Sequence, residues 1–194
     1  MRPDAVDTGP MPPAPGPVPA AALPVLRPAT PDDAAAIAAL WAPIIRDTTV
    51  TFYPTPRSPE EIATMIATRQ GDGHAFLVAE GAGTVLGFSS YSQFRPGPGY
   101  RHTMEHNVNL APQARGQGLG RALVQAVLAH ATAAGHRVMI GAITADNAAS
   151  LALHRRLGFT QAGRIAQAGW KFGRFHDLVL VQRVLGDDSG PATG

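Results

Sequence analysis

Three glycines at alternate positions, Gly116, Gly118 and Gly120, separate two stretches of opposite periodicity. Before them, "HTMEHNVNL" alternates. Met104, Val108 and Leu110 fall on one side, and Thr103, Glu105, Asn107 and Asn109 on the other, which is the period of a strand. After them, "RALVQAVLAHATAAG" repeats its apolar residues at helical spacing and stops at Gly135. Glycines let backbone N–H groups come close to a ligand, and a helix start favours anions. The turn reads either as a phosphate cradle or as a turn and nothing more. It is not a P-loop, because G-x-x-x-x-G-K-[ST] is missing. It is not a dinucleotide fingerprint either, because Arg121 stands where a further glycine is expected.

The rest of the chain extends this strand–helix theme. "VLRPAT" reads as a short strand from Val25. Thr30 then caps a helix that has Pro31 in its first turn, followed by Asp32 and Asp33, with Ile37, Leu40, Trp41 and Ile44 at helical spacing. Ser58, Pro59 and two glutamates repeat the formula. "AFLVAE" and "TVLGFSSYSQF" form a hairpin around "GAG". Beyond the glycine turn and its helix, "RVMIGAI" is β-rich. "NAASLALHRRLG" is a helix opened by Asn147 and closed by Gly158. "FTQAGRIAQAGWKFGRFHDLVLVQRVL" reads as two strands around a loop. The order is βααβββαβαββ, a mixed α/β arrangement.

Composition sets outer limits. The proline- and alanine-rich residues 1–24 and the short tail 187–194 have too little apolar surface to offset their ordering entropy, so disordered tails are expected around a folded unit at 25–186. No run of about 18 apolar residues exists, so no membrane partner is expected. A net charge of +2 without a basic run gives no reason to expect nucleic acid. Cysteine is absent, which removes disulfides and thiolate sites and fits a cytoplasmic location.

His102, Glu105 and His106 also spell H-x-x-E-H, a pattern of inverted zinc peptidases. Zinc binding through it needs a helix, where residues four apart are separated by roughly 6 Å along the axis. On a strand the same step spans roughly 13 Å, so the alternation argues for no metal here. Both histidines would then be ordinary half-buried residues.

R-x-x-G-x-G, at Arg115, Gly118 and Gly120, resembles the acetyl-CoA pyrophosphate loop of GNAT-type N-acetyltransferases. "ADNAASLALHRRLGF", one helix and one strand later, resembles that family's second signature. A narrower likeness runs from about residue 25 to 184. "TTVTFYPTPRS", "FRPGPGYRHTMEHNVNL" and "GWKFGRFHDLVLVQ" are similar to the phosphinothricin/methionine sulfoximine acetyltransferase branch. The chain departs from that branch at Asn107 and Asn109, often Ser and Tyr there, and in "PGPG", which replaces a bulkier, more acidic loop.

The resemblance implies an α/β fold of the α+β type, with a mixed central sheet of about six or seven strands flanked by helices. It implies acetyl-CoA as co-substrate and the α-amine of a small amino-acid analogue as acceptor. A protein N-terminus or another amine, and a non-catalytic acyl-CoA-binding module, are the alternatives. Glu105, on the non-core face of its strand, is the candidate base for the ammonium, or else a plain surface-strand glutamate. Val108, Asn109 and Leu110 would pair through their backbone with the pantetheine arm. Arg115, Gly116, Gln117, Gly118, Leu119, Gly120 and Arg121 would wrap the pyrophosphate. Asn147 would bond the pantetheine, cap its helix, or both. His154 stands where many relatives carry a tyrosine acid, and is either an acid for the thiolate or a structural histidine. Arg95, Pro96 and Gly97, with Glu105, His106 and Asn107, would form the amine site. Tyr100 and Arg101 border it, and Phe52, Trp170 and Phe172 are candidate walls. A homodimer, with the late strands near its interface, is also implied.

Overall fold

A computed structural model describes residues 24–186, so the tails expected at 1–24 and 187–194 lie, Pro24 apart, outside the described residues. The elements are β1 (Val25–Pro28), α1 (Ala34–Asp47), α2 (Pro59–Gly71), β2 (Phe76–Gly81), β3 (Thr84–Gln93), β4 (Thr103–Leu110), α3 (Leu119–Ala133), β5 (Val138–Thr144), α4 (Ala148–Arg156), β6 (Thr160–Lys171) and β7 (Arg174–Val184). This is the order that the periodicities give. The caps at Ser58 and Asn147 are where the sequence puts them, whereas Thr30 caps a 3-10 turn and not α1, whose N-cap is Asp33. Ser58 Oγ accepts from Glu61 N–H at 3.3 Å while the Glu61 carboxylate accepts from Ser58 N–H at 2.7 Å. Asn147 Oδ1 accepts from Ser150 N–H at 3.1 Å. A single 3-10 turn, Pro31–Asp33, stands between Thr30 and α1.

The seven strands form one sheet in the order β1-β2-β3-β4-β5-β7-β6. Only β4 and β5 run parallel, and they pair only from Thr103–Val138 to His106–Gly141. There they part. β4 continues along β3 to Leu110, and β5 continues along β7 to Thr144. Phe94 N–H bonds Thr103 O, and Ala111 N–H bonds Leu86 O, each at 2.9 Å. These two bonds bracket a continuous antiparallel register, so odd-numbered residues of β4 bond β3 through their backbone. The backbone of Val108 and Leu110 therefore faces the gap, with no strand opposite.

Helices cover both faces. On one, α3 lays Val124, Val127, Leu128 and Ala131 against Met104, Met139 and Val181. On the other, α1 and α2 bring Ile37, Trp41, Ile45, Ile62 and Ile66 onto Phe76, Val78 and Phe88. This second layer changes one expectation. Thr103, Glu105, Asn107 and Asn109 do not look into solvent: they lie on the α1–α2 side, and Asn109 is only 6% exposed. Residue polarity suggested an outward face, but two amphipathic helices need a surface to bury their stripes, and this face provides it. The loop expected between β6 and β7 is a two-residue turn with φ of 51° at Phe172 and 72° at Gly173. That hairpin carries Trp170 and Phe172 outward, 58% and 57% exposed, so neither walls an interior pocket.

Candidate active site

Where β4 and β5 part, a cleft of about 530 Å³ opens, lined from both arms and from the segment that follows α1. Glu105, His106, Asn107, Val108 and Asn109 line it from β4, and Gly141 to Thr144 from β5. Asn147, Ser150 and His154 line it from α4, and Val50 to Tyr53 form its outer wall. Because the strands diverge, the cleft is reached both by Glu105 on the α1–α2 face and by His106 on the α3–α4 face.

Burial pushes the Glu105 carboxyl up from the usual glutamate range, and the guanidinium groups of Arg69 and Arg95 offset part of that rise. Arg69 lines the cleft, and burial lowers the pKa of its guanidinium. Its carbonyl accepts from His74 N–H, but among the described residues its guanidinium makes no hydrogen bond or ion pair, which leaves those donors for a ligand. No motif in the sequence marks Arg69. It sits in the last turn of α2, where a basic residue reads simply as a complement to the helix dipole. Arg95, Pro96 and Gly97 do not line the cleft; they form an exposed loop beyond β3, with the Arg95 guanidinium 5.1 Å from the Phe94 ring centroid. Tyr100 and Arg101 are exposed on the same loop, where Arg101 bonds His102.

His106 and His154 meet at the apex of the fork, Nε2 to Nε2 at 3.2 Å, and both are buried. Gly141 makes room for them, since a Cβ there would lie 3.3 Å from His154 Nε2. His154 Nδ1 stands 2.7 Å from the Ser150 carbonyl oxygen, which can only accept, so Nδ1 carries the proton. Burial lowers the pKa of both rings, that of His106 to about 3. A neutral His154 then has a bare Nε2, and His106 donates to it from its own Nε2. The remaining His106 Nδ1 is buried without a partner. The resting His154 is thus an acceptor at the atom facing His106. The proton an acid would need lies one ring away.

Other polar atoms of the cleft await partners. Trp41 Nε1, Asn107 Oδ1 and Thr144 Oγ1 are buried and unbonded. Leaving such groups unpaired costs roughly 1–3 kcal/mol each, which a ligand with donors and acceptors of its own recovers. Beyond Leu110 the glycine turn continues the line of the gap. Gly116 and Gly118 have φ of 75° and 82°, a left-handed backbone that L side chains rarely adopt. A Cβ on either would meet open space, whereas one on Gly120 would come within 3.2 Å of Leu110 Cδ1. Gly118 gives α3 no side-chain cap, so the first-turn amides of Leu119, Gly120 and Arg121 remain available. Arg115 and Arg121 stand exposed on either side of this start. Parted parallel strands, unpaired backbone and an uncapped helix start thus follow one another along the chain, and helix starts of that kind favour anions.

Residues 25–160 match the model of the acetyltransferase (GNAT) domain. The chain belongs to the GNAT acetyltransferase family. It is 42% identical over 151 residues to an L-methionine sulfoximine/L-methionine sulfone acetyltransferase of Pseudomonas aeruginosa, covering 77% of this chain and 88% of the relative. It is 39% identical over 163 residues to a phosphinothricin N-acetyltransferase of Alcaligenes faecalis, covering 82% and 83%. A GNAT phosphinothricin acetyltransferase from Sinorhizobium meliloti, solved with acetyl-CoA, superposes with a TM-score of 0.82 at 36% identity, over 88% of this chain and 92% of that one. This acetyltransferase therefore carries the expected fold. Its H-x-x-E-H stretch is a turn residue, His102, followed by strand from Thr103, and among the described residues no cluster of three or more His, Asp or Glu is placed to hold a metal ion. No described helix is long and apolar enough to cross a membrane.

Proposed function

We propose that this acetyltransferase moves the acetyl group of acetyl-CoA to the α-amine of a small amino-acid analogue, with phosphinothricin, methionine sulfoximine and methionine sulfone as the leading acceptors. The observation that carries the reading is a half-buried carboxylate, Glu105, which has no ion-pair partner among the described residues and shares its cleft with the Arg69 guanidinium. Glu105 accepts the ammonium proton directly or through one water, and its raised pKa brings it closer to the amine it must deprotonate. Arg69, with Arg95 at the rim, supplies the charge that holds a carboxylate or phosphinate, while Asn107 presents Oδ1 to the ammonium.

The thioester lies along β4, its pantetheine pairing with the outward backbone of Val108 and Leu110, with the Asn109 side chain beside it and Asn147 at the α4 start. Arg115, Gly116, Gln117, Gly118, Leu119, Gly120 and Arg121 take the pyrophosphate. The nitrogen–carbon bond forms as the carbon–sulfur bond breaks. The His106–His154 pair is the nearest reservoir for the proton that the departing sulfur takes up. The enzyme works in the cytoplasm as a homodimer, without nucleic acid or membrane. The exposed Trp170, Phe172 and Phe175 on the β6–β7 hairpin, beside the free edge of β6, support that assembly. Thiol release from acetyl-CoA with a panel of these amines, free amino acids and N-terminal peptides is the test. Turnover confined to peptides moves the acceptor to a protein N-terminus, and acetyl-CoA binding without turnover on any amine ends the catalytic reading.

A further inference from the structure

The outer wall of the cleft is irregular chain. Residues 48 to 58 join α1 to α2 with no helix or strand of their own, yet Val50 to Tyr53 line the cleft. A wall of that kind needs to be fixed from elsewhere, because it has no ladder hydrogen bonds.

We infer that Lys171, on the β6–β7 hairpin and outside the cleft lining, is a positioning residue that fixes this wall and so sets affinity for the amine substrate. Lys171 is only 8% exposed. Its ammonium donates to two main-chain carbonyls far away in sequence, Ile45 O and Thr51 O, the latter at 2.7 Å. Ile45 O is one of the terminal carbonyls of α1 that have no intrahelical donor, so the lysine caps the helix just where the wall begins. Thr51 O belongs to the wall itself. Among the described residues no acidic side chain lies within ion-pair distance of Lys171; the two carbonyls accept its hydrogen bonds, the Phe172 ring centroid stands 5.3 Å from the ammonium, and the Asp47 carboxylate acts on it at longer range.

The same hairpin makes a second, apolar contact with the wall. Phe52 lies across Gly169 so closely that a Cβ there would stand 2.2 Å from its ring. The ring also tilts over His176, centroids 6.0 Å apart. On the far side Tyr53 meets Trp41 edge-on at 6.3 Å, and the Arg57 guanidinium lies 4.5 Å from the Tyr53 ring centroid. The wall is thus gripped between the hairpin and α1. None of the hairpin's gripping groups reaches the thioester channel, which predicts a selective effect on the amine.

This rests on the amine site proposed above, and the experiment separates the two. Lys171→Met keeps the length of the side chain and removes both hydrogen bonds. Gly169→Ala leaves the lysine and displaces Phe52. Each is compared with the wild-type enzyme by hydrogen exchange of residues 48–58 and by steady-state kinetics in both substrates. The expected result is faster exchange in that segment, an amine KM raised about tenfold or more, and an acetyl-CoA KM within about twofold. Unchanged exchange in folded Lys171→Met overturns the inference, as does faster exchange with an unchanged amine KM. Equal rises in both KM values also overturn it, since they indicate general loosening. If Lys171→Met does not fold, Gly169→Ala decides by the same readouts. Wild-type enzyme that turns over no amine refutes the functional reading instead, and the exchange data still judge the clamp.

Discussion

Lowering the pH from 7 to 5 destabilises this enzyme through His106, and the size of the effect follows from where the ring lies. In the folded chain His106 is 6% exposed, and burial together with the neighbouring His154 lowers its pKa to about 3. In the unfolded chain it titrates near ~6.5. The folded pKa lies below the unfolded one, so the unfolded chain binds the extra proton first. The folded state is at full strength above the unfolded value and weakens as pH falls through the window from ~6.5 towards 3. Between pH 7 and pH 5 this one ring accounts for about 2 kcal/mol, or roughly 4–8 °C in Tm for a chain of this size. His74, His136 and His154 are shifted downward as well, each chiefly by burial, and steepen the total dependence in the same direction. Denaturant titrations at half-unit steps from pH 5 to pH 8 on the wild type and on His106→Gln isolate the contribution. The variant lacks the titrating ring and keeps a donor for His154 Nε2. Its stability falls about 2 kcal/mol less over the interval, whatever its absolute stability at pH 7. Parallel curves for the two proteins refute the burial argument.

Three further outcomes are expected. Glu105→Gln lowers kcat by about 10²- to 10⁴-fold with acetyl-CoA affinity retained, measured by stopped thiol-release assays and a binding titration. In the wild type the acid limb of kcat/KM falls at a pH above the ordinary carboxylate range, because the Glu105 pKa is raised. Arg69→Met raises the amine KM by about 10- to 100-fold and spares the acetyl-CoA KM, as loss of a charged hydrogen bond requires; an unchanged amine KM gives the carboxylate to another group. Gly87→Ala destabilises by about 1–3 kcal/mol in denaturant unfolding, since its Cβ would stand 2.4 Å from Leu110 Cδ2 and 2.9 Å from the Asn109 carbonyl.

The sequence alone determined the succession of elements. Alternation in 102–110, helical spacing after the glycine turn, and the caps at Ser58 and Asn147 are local signals, and local geometry obeyed them. It also determined that the glycines sit between a strand and a helix start. The chemistry of the site was decided elsewhere. Glu105 looked like a solvent-facing strand residue until α1 and α2 closed over it, and only that burial raises its pKa. Arg69 and Trp41 are distant from β4 along the chain and carry no motif; packing brings them to the cleft. The two histidines, 48 residues apart, share a hydrogen bond because β4 and β5 pair as far as Gly141 and then diverge. A side chain's position along the chain fixes its backbone period. Its desolvation and its neighbours come from elements folded in from far away, which no local pattern records.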